Sequence, residues 1–265
     1  MLNFNVEPYY DDFDPSKNFH RILYKPGAAV QARELTQSQT ILQSQISKFA
    51  DHIFSQNTPV TGGKVTTNLN CHYIKLQDTS LGGSYDVTQF EGKLIPDATG
   101  AIVARVIKTS SSAGTGVGDP NTLIVSYLSG NQFTNNSLVH VVGSTVTAQA
   151  YAVNATGNSS VVSISQGVFY VLGNFVQVSP STIILDKYDN SPNLRVGLTI
   201  GENIQDYIGD SSLLDPAVGA SNYQAPGADR YQITLKLDTR TLALGDDQDF
   251  IELARITNGD VAKMV

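Results

Sequence analysis

From Ala28 to Asn57 the chain has neither glycine nor proline, and inside that run Leu35, Gln39, Leu42, Ile46, Phe49 and Ile53 recur at spacings of 4-3-4-3-4. Side chains at this spacing share one face of an α-helix. Alternating four- and three-residue steps form the seam by which helices pack on each other, and one polar residue in such a seam, here Gln39, fixes register and copy number. The remaining faces carry Gln37, Gln43, Ser44, Gln45, Ser47 and Lys48. The reading is a long, coiled-coil-like helix over residues 29–56, stopped by Asn57-Thr58-Pro59. Its seam packs either on the same helix of other copies, the preferred reading, or on the chain's own β region.

After Val60 the period falls from 3.5 to 2. The runs CHYIKLQ, AIVARVIK, TLIVSYL, LVHVVG, TVTAQAYAV, SVVSISQ, VFYVLGNFVQV and TIILDKY are rich in Val, Ile, Thr, Tyr and Phe. Gly, Asn, Ser and Pro separate them, the pattern of short antiparallel strands in a sandwich or barrel. YQITLKLDTRTL over 231–242 alternates cleanly, and Asn258-Gly259 marks a turn before a last strand. The predicted fold is therefore α+β and mainly β: an arm and long helix in 1–58, a β-rich domain or insert in 59–165, and a β domain in 166–265. The last segment carries a long strap at 209–230 and is expected to continue into a longer chain. Leu213, Leu214, Val218 and Tyr223 in the strap predict an ordered segment packed down by burial of those side chains.

Residues 1–28 crowd Phe4, Tyr9, Tyr10, Phe13, Phe19 and Tyr24 between Pro8, Pro15 and Pro26. Prolines exclude a long helix there. So many rings in so short an arm imply docking, either on the following helix or on another protein. Tyr9, Tyr10, Phe13, Phe19 and Tyr24 are the candidate partner anchors. Only 15% of residues are charged, against a usual quarter, which favours a surface that packs on neighbours. The net charge of −7 and scattered Lys and Arg disfavour nucleic-acid binding. No apolar run is long enough to span a bilayer, so membrane insertion is not expected. The N-terminus lacks a signal-peptide pattern. A lone cysteine, Cys71, forms no intrachain disulfide and fits assembly in a reducing host cytoplasm.

Catalytic and metal chemistry find little purchase. His20, His52, His72 and His140 are far apart, and Cys71 and His72 point to opposite faces of a strand. Asp11, Asp12 and Asp14 cluster, as do Asp246, Asp247 and Asp249, without the glycine and distal glutamate of a calcium loop. TGGKVT at 61–66 lacks P-loop spacing and reads as a turn into a strand. No cofactor, metal site or catalytic residue is expected, and the chain is read as a non-enzyme. Arg33 is expected to pair with Asp12 or Asp14 of the arm, and Arg230 to anchor the strap.

Three blocks carry a resemblance: EPYYDDFDPSKNFHRILYKPGAAVQARELTQSQTILQSQI (7–46), GVFYVLGNFVQV (167–178) and SLLDPAVGASNYQAPGADRYQITLKL (212–237). Together they resemble structural proteins of tailed phages, notably cyanobacterial myophages, in a domain of unknown function found in tail or baseplate proteins. The resemblance is weakest over 80–160 and transfers no catalytic residue. It implies a virion tail component assembled in the host cytoplasm: a baseplate protein or a fibre or spike adaptor. Its expected partners are copies of itself, with a homotrimer favoured, and other tail proteins. The competing reading is a tail-spike protein that binds a receptor or depolymerises polysaccharide, with the loops at 110–121 and 209–229 as candidate contacts.

Overall fold

The computed structural model describes residues 2–77, 85–112, 119–243 and 247–264. The helix α1 is Ala32–Asp51. It is followed by β1 (Thr58–Gly62), β2 (Val65–Lys75), β3 (Leu94–Pro96), β4 (Val103–Ser110), β5 (Thr122–Ser129), β6 (Leu138–His140) and β7 (Thr147–Gln149). Then come β8 (Thr156–Ile164), β9 (Gly167–Val171), β10 (Asn174–Val178), β11 (Ser181–Asp186), β12 (Leu194–Gln205), β13 (Arg230–Arg240), β14 (Phe250–Thr257) and β15 (Asp260–Met264). The strands form four antiparallel sheets, ordered β1-β9-β10, β11-β8-β2-β5-β4-β3, β13-β12-β14-β15 and β6-β7.

The expected α+β architecture with a long coiled-coil-like helix is thereby corrected. The described chain is mostly β, and its α-helix has 20 residues instead of the run over 29–56. The absence of glycine and proline permits a helix but does not set its ends. At the start, the Glu34 carboxylate accepts the Gln31 N–H at 2.9 Å, and the preceding backbone has already turned through Gly27 at φ +80°. At the other end, His52 and Ile53 donate to carbonyls three residues back, tightening the last turn. Asn57 at φ +65° then reverses the chain, and its N–H binds Tyr170 O at 2.7 Å. Ile53 thus lies past the helix, which holds fewer than three heptads of the stripe.

The chain divides into two compact units, each built from three segments. The first comprises Met1–Gly63, Gln166–Ser179 and Thr199–Lys236; the second comprises Lys64–Ser165, Pro180–Leu198 and Leu237–Val265.

In the first unit β9 is the central strand between β1 and β10. Its connection to β10 is a two-residue turn, Leu172-Gly173, with both φ values positive at +51° and +75°. That turn type matches the twist of an antiparallel pair. A Cβ on Gly173 would meet Ser47 Oγ at 2.4 Å, so only glycine lets the hairpin tip approach α1 this closely. Below the tip the Tyr170 hydroxyl donates to Asp51 Oδ1 at 2.8 Å and Ser47 O at 3.0 Å, and the rings of Tyr170, Phe54 and Phe175 meet one another tilted or edge-on. The two glycines of TGGKVT sit where β1 crosses β9: a Cβ on Gly62 would fall 2.3 Å from Gln166 O. Close backbone approach, not a phosphate, accounts for that motif.

In the second unit, alternation along the six-stranded sheet feeds two clusters. Ile74, Leu76, Leu123 and Val125 join Phe90, Ile95 and Phe133 in the larger cluster, whereas Cys71, Ile124 and Val161 form the smaller. Adjacent strand residues point to opposite faces, which is why Ile124 parts from its neighbours. A buried cation also holds this unit together. Arg195, with 4% of its side chain exposed, donates to Asp247, to Thr241 O at 2.8 Å and to Ala243 O at 3.0 Å. Arg240 bridges Asp247 and Asp249 and lies over the Phe250 ring, and Arg255 pairs with Glu252.

Candidate interaction surface

Helix α1 is oriented against the expectation its composition raises. Ile41 and Ala50 are buried, and Thr36, Gln37, Thr40, Ser44 and Ser47 are half-buried beside them. At roughly 100° per residue Gln37, Thr40, Ile41, Ser44 and Ser47 lie across the helix from the stripe, while Thr36 and Ala50 flank it. The inward side is therefore small and polar, and it docks through hydrogen bonds: Thr40 to Asp11, Gln37 to Asp12 and Ser47 to Tyr170. The apolar stripe faces out, with Leu35 53%, Leu42 64%, Ile46 49%, Phe49 69% and Ile53 58% exposed, and Gln39 exposed among them. Five large apolar side chains are thus left in water along one face, and apolar patches on monomers are often functional.

Of the two roles foreseen for the arm, docking on its own chain is seen for its first half only. Its first half is tied to its own unit. Leu2 N–H binds Glu202 at 2.8 Å, the Phe4 ring meets Tyr231 edge-on at 4.9 Å, and the Tyr9 hydroxyl donates to Asp229 at 2.6 Å. The Asp229 carboxylate holds the Tyr9 phenol above its ordinary pKa. Asp11 is buried against Thr40, and Arg33 pairs with Asp12 at 3.2 Å, one of the two partners expected for it. Tyr9 is thus an intrachain anchor, and Phe13 is half-buried. Tyr10, Phe19 and Tyr24 remain 54%, 64% and 50% exposed, in company with Leu23 at 76%.

A family model described as a domain of unknown function, DUF4815, matches residues 7–92 and 126–264. The chain belongs to the DUF4815 family. No curated protein and no solved structure matches it. The exposed stripe of this DUF4815 chain and its arm from Glu7 onward fall in the first matched segment; the strap falls in the second.

The strap is ordered by its own backbone. Leu214 bridges Pro226, Asp215 and Ala225 bond at 3.0 Å, and a short 3-10 turn at Ser211–Leu213 is capped by Asp210. The expectation that all four of its large side chains are packed down fails in part. Leu213 and Leu214 are half-buried, but Val218 is 81% and Tyr223 46% exposed. Arg230 Nη1 donates to Ala228 O at 2.6 Å, holding the strap's end as expected.

Chemistry-bearing groups stay apart. Among the described residues no three His, Cys, Asp or Glu side chains gather as a metal site. Burial pushes the Cys71 thiol up to about 11, so it is not a nucleophile at neutral pH. Asp247 and Asp249 serve as arginine partners, and Asp246 lies outside the described residues. Residues 113–118, half of the candidate loop at 110–121, also lie outside them; its far end is held where Asp119 meets Lys187 and Tyr188. Sequence reasoning did not foresee Arg195, whose partners Thr241, Ala243, Asp247 and, at 3.5 Å, Glu252 lie 46–57 residues on and leave no local signature.

Proposed function

We propose that this DUF4815 chain is a structural assembly component of a phage tail, a baseplate protein or the adaptor of a fibre or spike. The observation that carries the assembly reading is α1, which spends its polar side on intrachain hydrogen bonds and presents its apolar stripe to solvent. A helix serving only its own domain buries the apolar side instead. The tail location rests on the resemblance of the three blocks, and copies of the chain in a homotrimer together with other tail proteins are the partners it implies.

The test is to follow the chain into purified particles. Wild-type chain co-purifies with tails, whereas Leu42→Asp/Phe49→Asp, at 64% and 69% exposed positions, keeps its circular dichroism and melting temperature but is left out. Normal incorporation of the double variant sinks the role given to α1, and absence of the wild-type chain from particles sinks the tail reading. Release of sugar from host polysaccharide by the purified chain would replace the reading with the enzymatic alternative.

A further inference from the structure

Two exposed segments of the first unit carry opposite charge and matching apolar character. Residues 15–31 contain Lys17, Arg21, Lys25 and His20 and no acid. Phe19, Leu23, Tyr24 and Val30 stand 64%, 76%, 50% and 54% exposed within them. Lys17 leans on Asp14, whose carboxyl is held low first by Ser16 and then by that lysine. Arg21 and Lys25 are exposed and in no ion pair among the described residues. Residues 202–229 contain Glu202, Asp206, Asp210, Asp215 and Asp229 and no Lys or Arg. Tyr207, Ile208, Val218 and Tyr223 stand 38%, 78%, 81% and 46% exposed there.

Glu202 and Asp229 hold the arm, as described. Asp206, Asp210 and Asp215 accept backbone N–H groups of their own turns, and Asp210 also the Ser212 hydroxyl, so their charge meets no ion-pair partner among the described residues. Both segments are tied to their own chain at defined points. The basic one is pinned at one end by Asp11 on Thr40 and Asp14 on Ser16, and at the other by Glu34 on Gln31. The acidic one is pinned by the Leu214–Pro226 bridge. Preformed loops lose little freedom on docking, and an aromatic and arginine centre is what protein contacts concentrate.

We infer that residues 15–31 of one copy dock onto residues 202–229 of a second copy, apolar side chains meeting at the centre with Arg21 and Lys25 facing Asp210 and Asp215. The occupant is a second copy because the complementary surface lies on the same chain. Such a contact is satisfied twice in a two-fold dimer or once per neighbour in a head-to-tail ring. This rests on the assembly reading above and names its partner; the α1 stripe remains available to a different protein.

The experiment is sedimentation equilibrium of the full chain at low and high salt. Wild type associates at low salt and weakens at least tenfold in 1 M salt, where charges are screened beyond about 3 Å. Arg21→Glu/Lys25→Glu weakens association at least tenfold, and so does Val218→Asp at a position too exposed to affect folding. Adding Asp210→Lys/Asp215→Lys to the loop variant restores association, an outcome that a merely damaged fold does not produce. A chain that is monomeric at every concentration overturns the inference, as does association indifferent to the loop reversal. If association is instead lost with Phe49→Asp, the assembly reading stands with α1 as the self-contact and this inference falls. Loop-dependent binding to phosphatidylserine vesicles without self-association also overturns it.

Discussion

Arg195 shows how much one side chain can hold. Its guanidinium serves Asp247 and two backbone carbonyls in a nearly dry site. Replacing it with methionine fills the space but removes the arginine donors from Thr241 O and Ala243 O and leaves Asp247 to Arg240 and Glu252 to Arg255. Urea unfolding of Arg195→Met should show a clear drop in stability, since breaking a pair by removing its buried member is destabilising. The same cluster sets an acid limit. Asp247 is held below its ordinary pKa first by Arg195, Asp249 by Arg240, and Glu252 by Arg255. Folded values below the unfolded ones mean that the contribution is fully present above about pH 4. It is lost as pH falls through the lowered values. The expected result is a melting temperature that drops steeply below that pH in wild type and less steeply in Arg195→Met; parallel curves would refute the linkage. Tyr170→Phe removes the hydroxyl bonds to Asp51 and Ser47 and should cost about 1 kcal/mol.

At the scale of elements, the hairpin tip and α1 depend on each other. Gly173→Ala puts a Cβ at φ +75° and against Ser47 Oγ, 2.4 Å away. The backbone term alone is roughly 1–2 kcal/mol, and the contact adds to it. Ser47→Gly should recover part of that loss by clearing the space, and no recovery would show that the two do not meet. The stripe of α1 was legible because spacing survives in a sequence without tertiary information. Its ends were not: they are set by Glu34 folding back on Gln31 and by Asn57 turning toward β9, events of backbone geometry at residues that also occur inside helices. The inward face was illegible for a different reason. Thr36, Gln37, Thr40 and Ser44 look like a solvent face until Asp11 and Asp12 of the arm are seen to bind it. Arg33 with Asp12 was readable because both sit in one local stretch, whereas Arg195 reaches its partners only through sheet pairing.

For the whole molecule, the first half of the arm belongs to the fold and not to a partner. Deleting residues 1–14 removes Phe4 from Tyr231, Tyr9 from Asp229 and Asp11 from Thr40. Hydrogen exchange should therefore quicken in α1 and in residues 199–236 while β2, β5 and β8 keep their protection. Uniform loss across all strands would mean that the two units unfold as one, and unchanged rates everywhere would mean that the arm is a passive tail. The reverse polarity of α1 reaches further, into heat capacity. Detaching the helix from its unit exposes mainly hydroxyls and amides, whose hydration lowers heat capacity, so this step carries little of the usual increment. Covering the outward stripe removes hydrocarbon from water and carries a large negative one. Association through that face therefore becomes more exothermic with each degree of warming, whereas the enthalpy that seats the helix on its own sheet barely changes. Calorimetry over a modest temperature range separates the two sides of one helix.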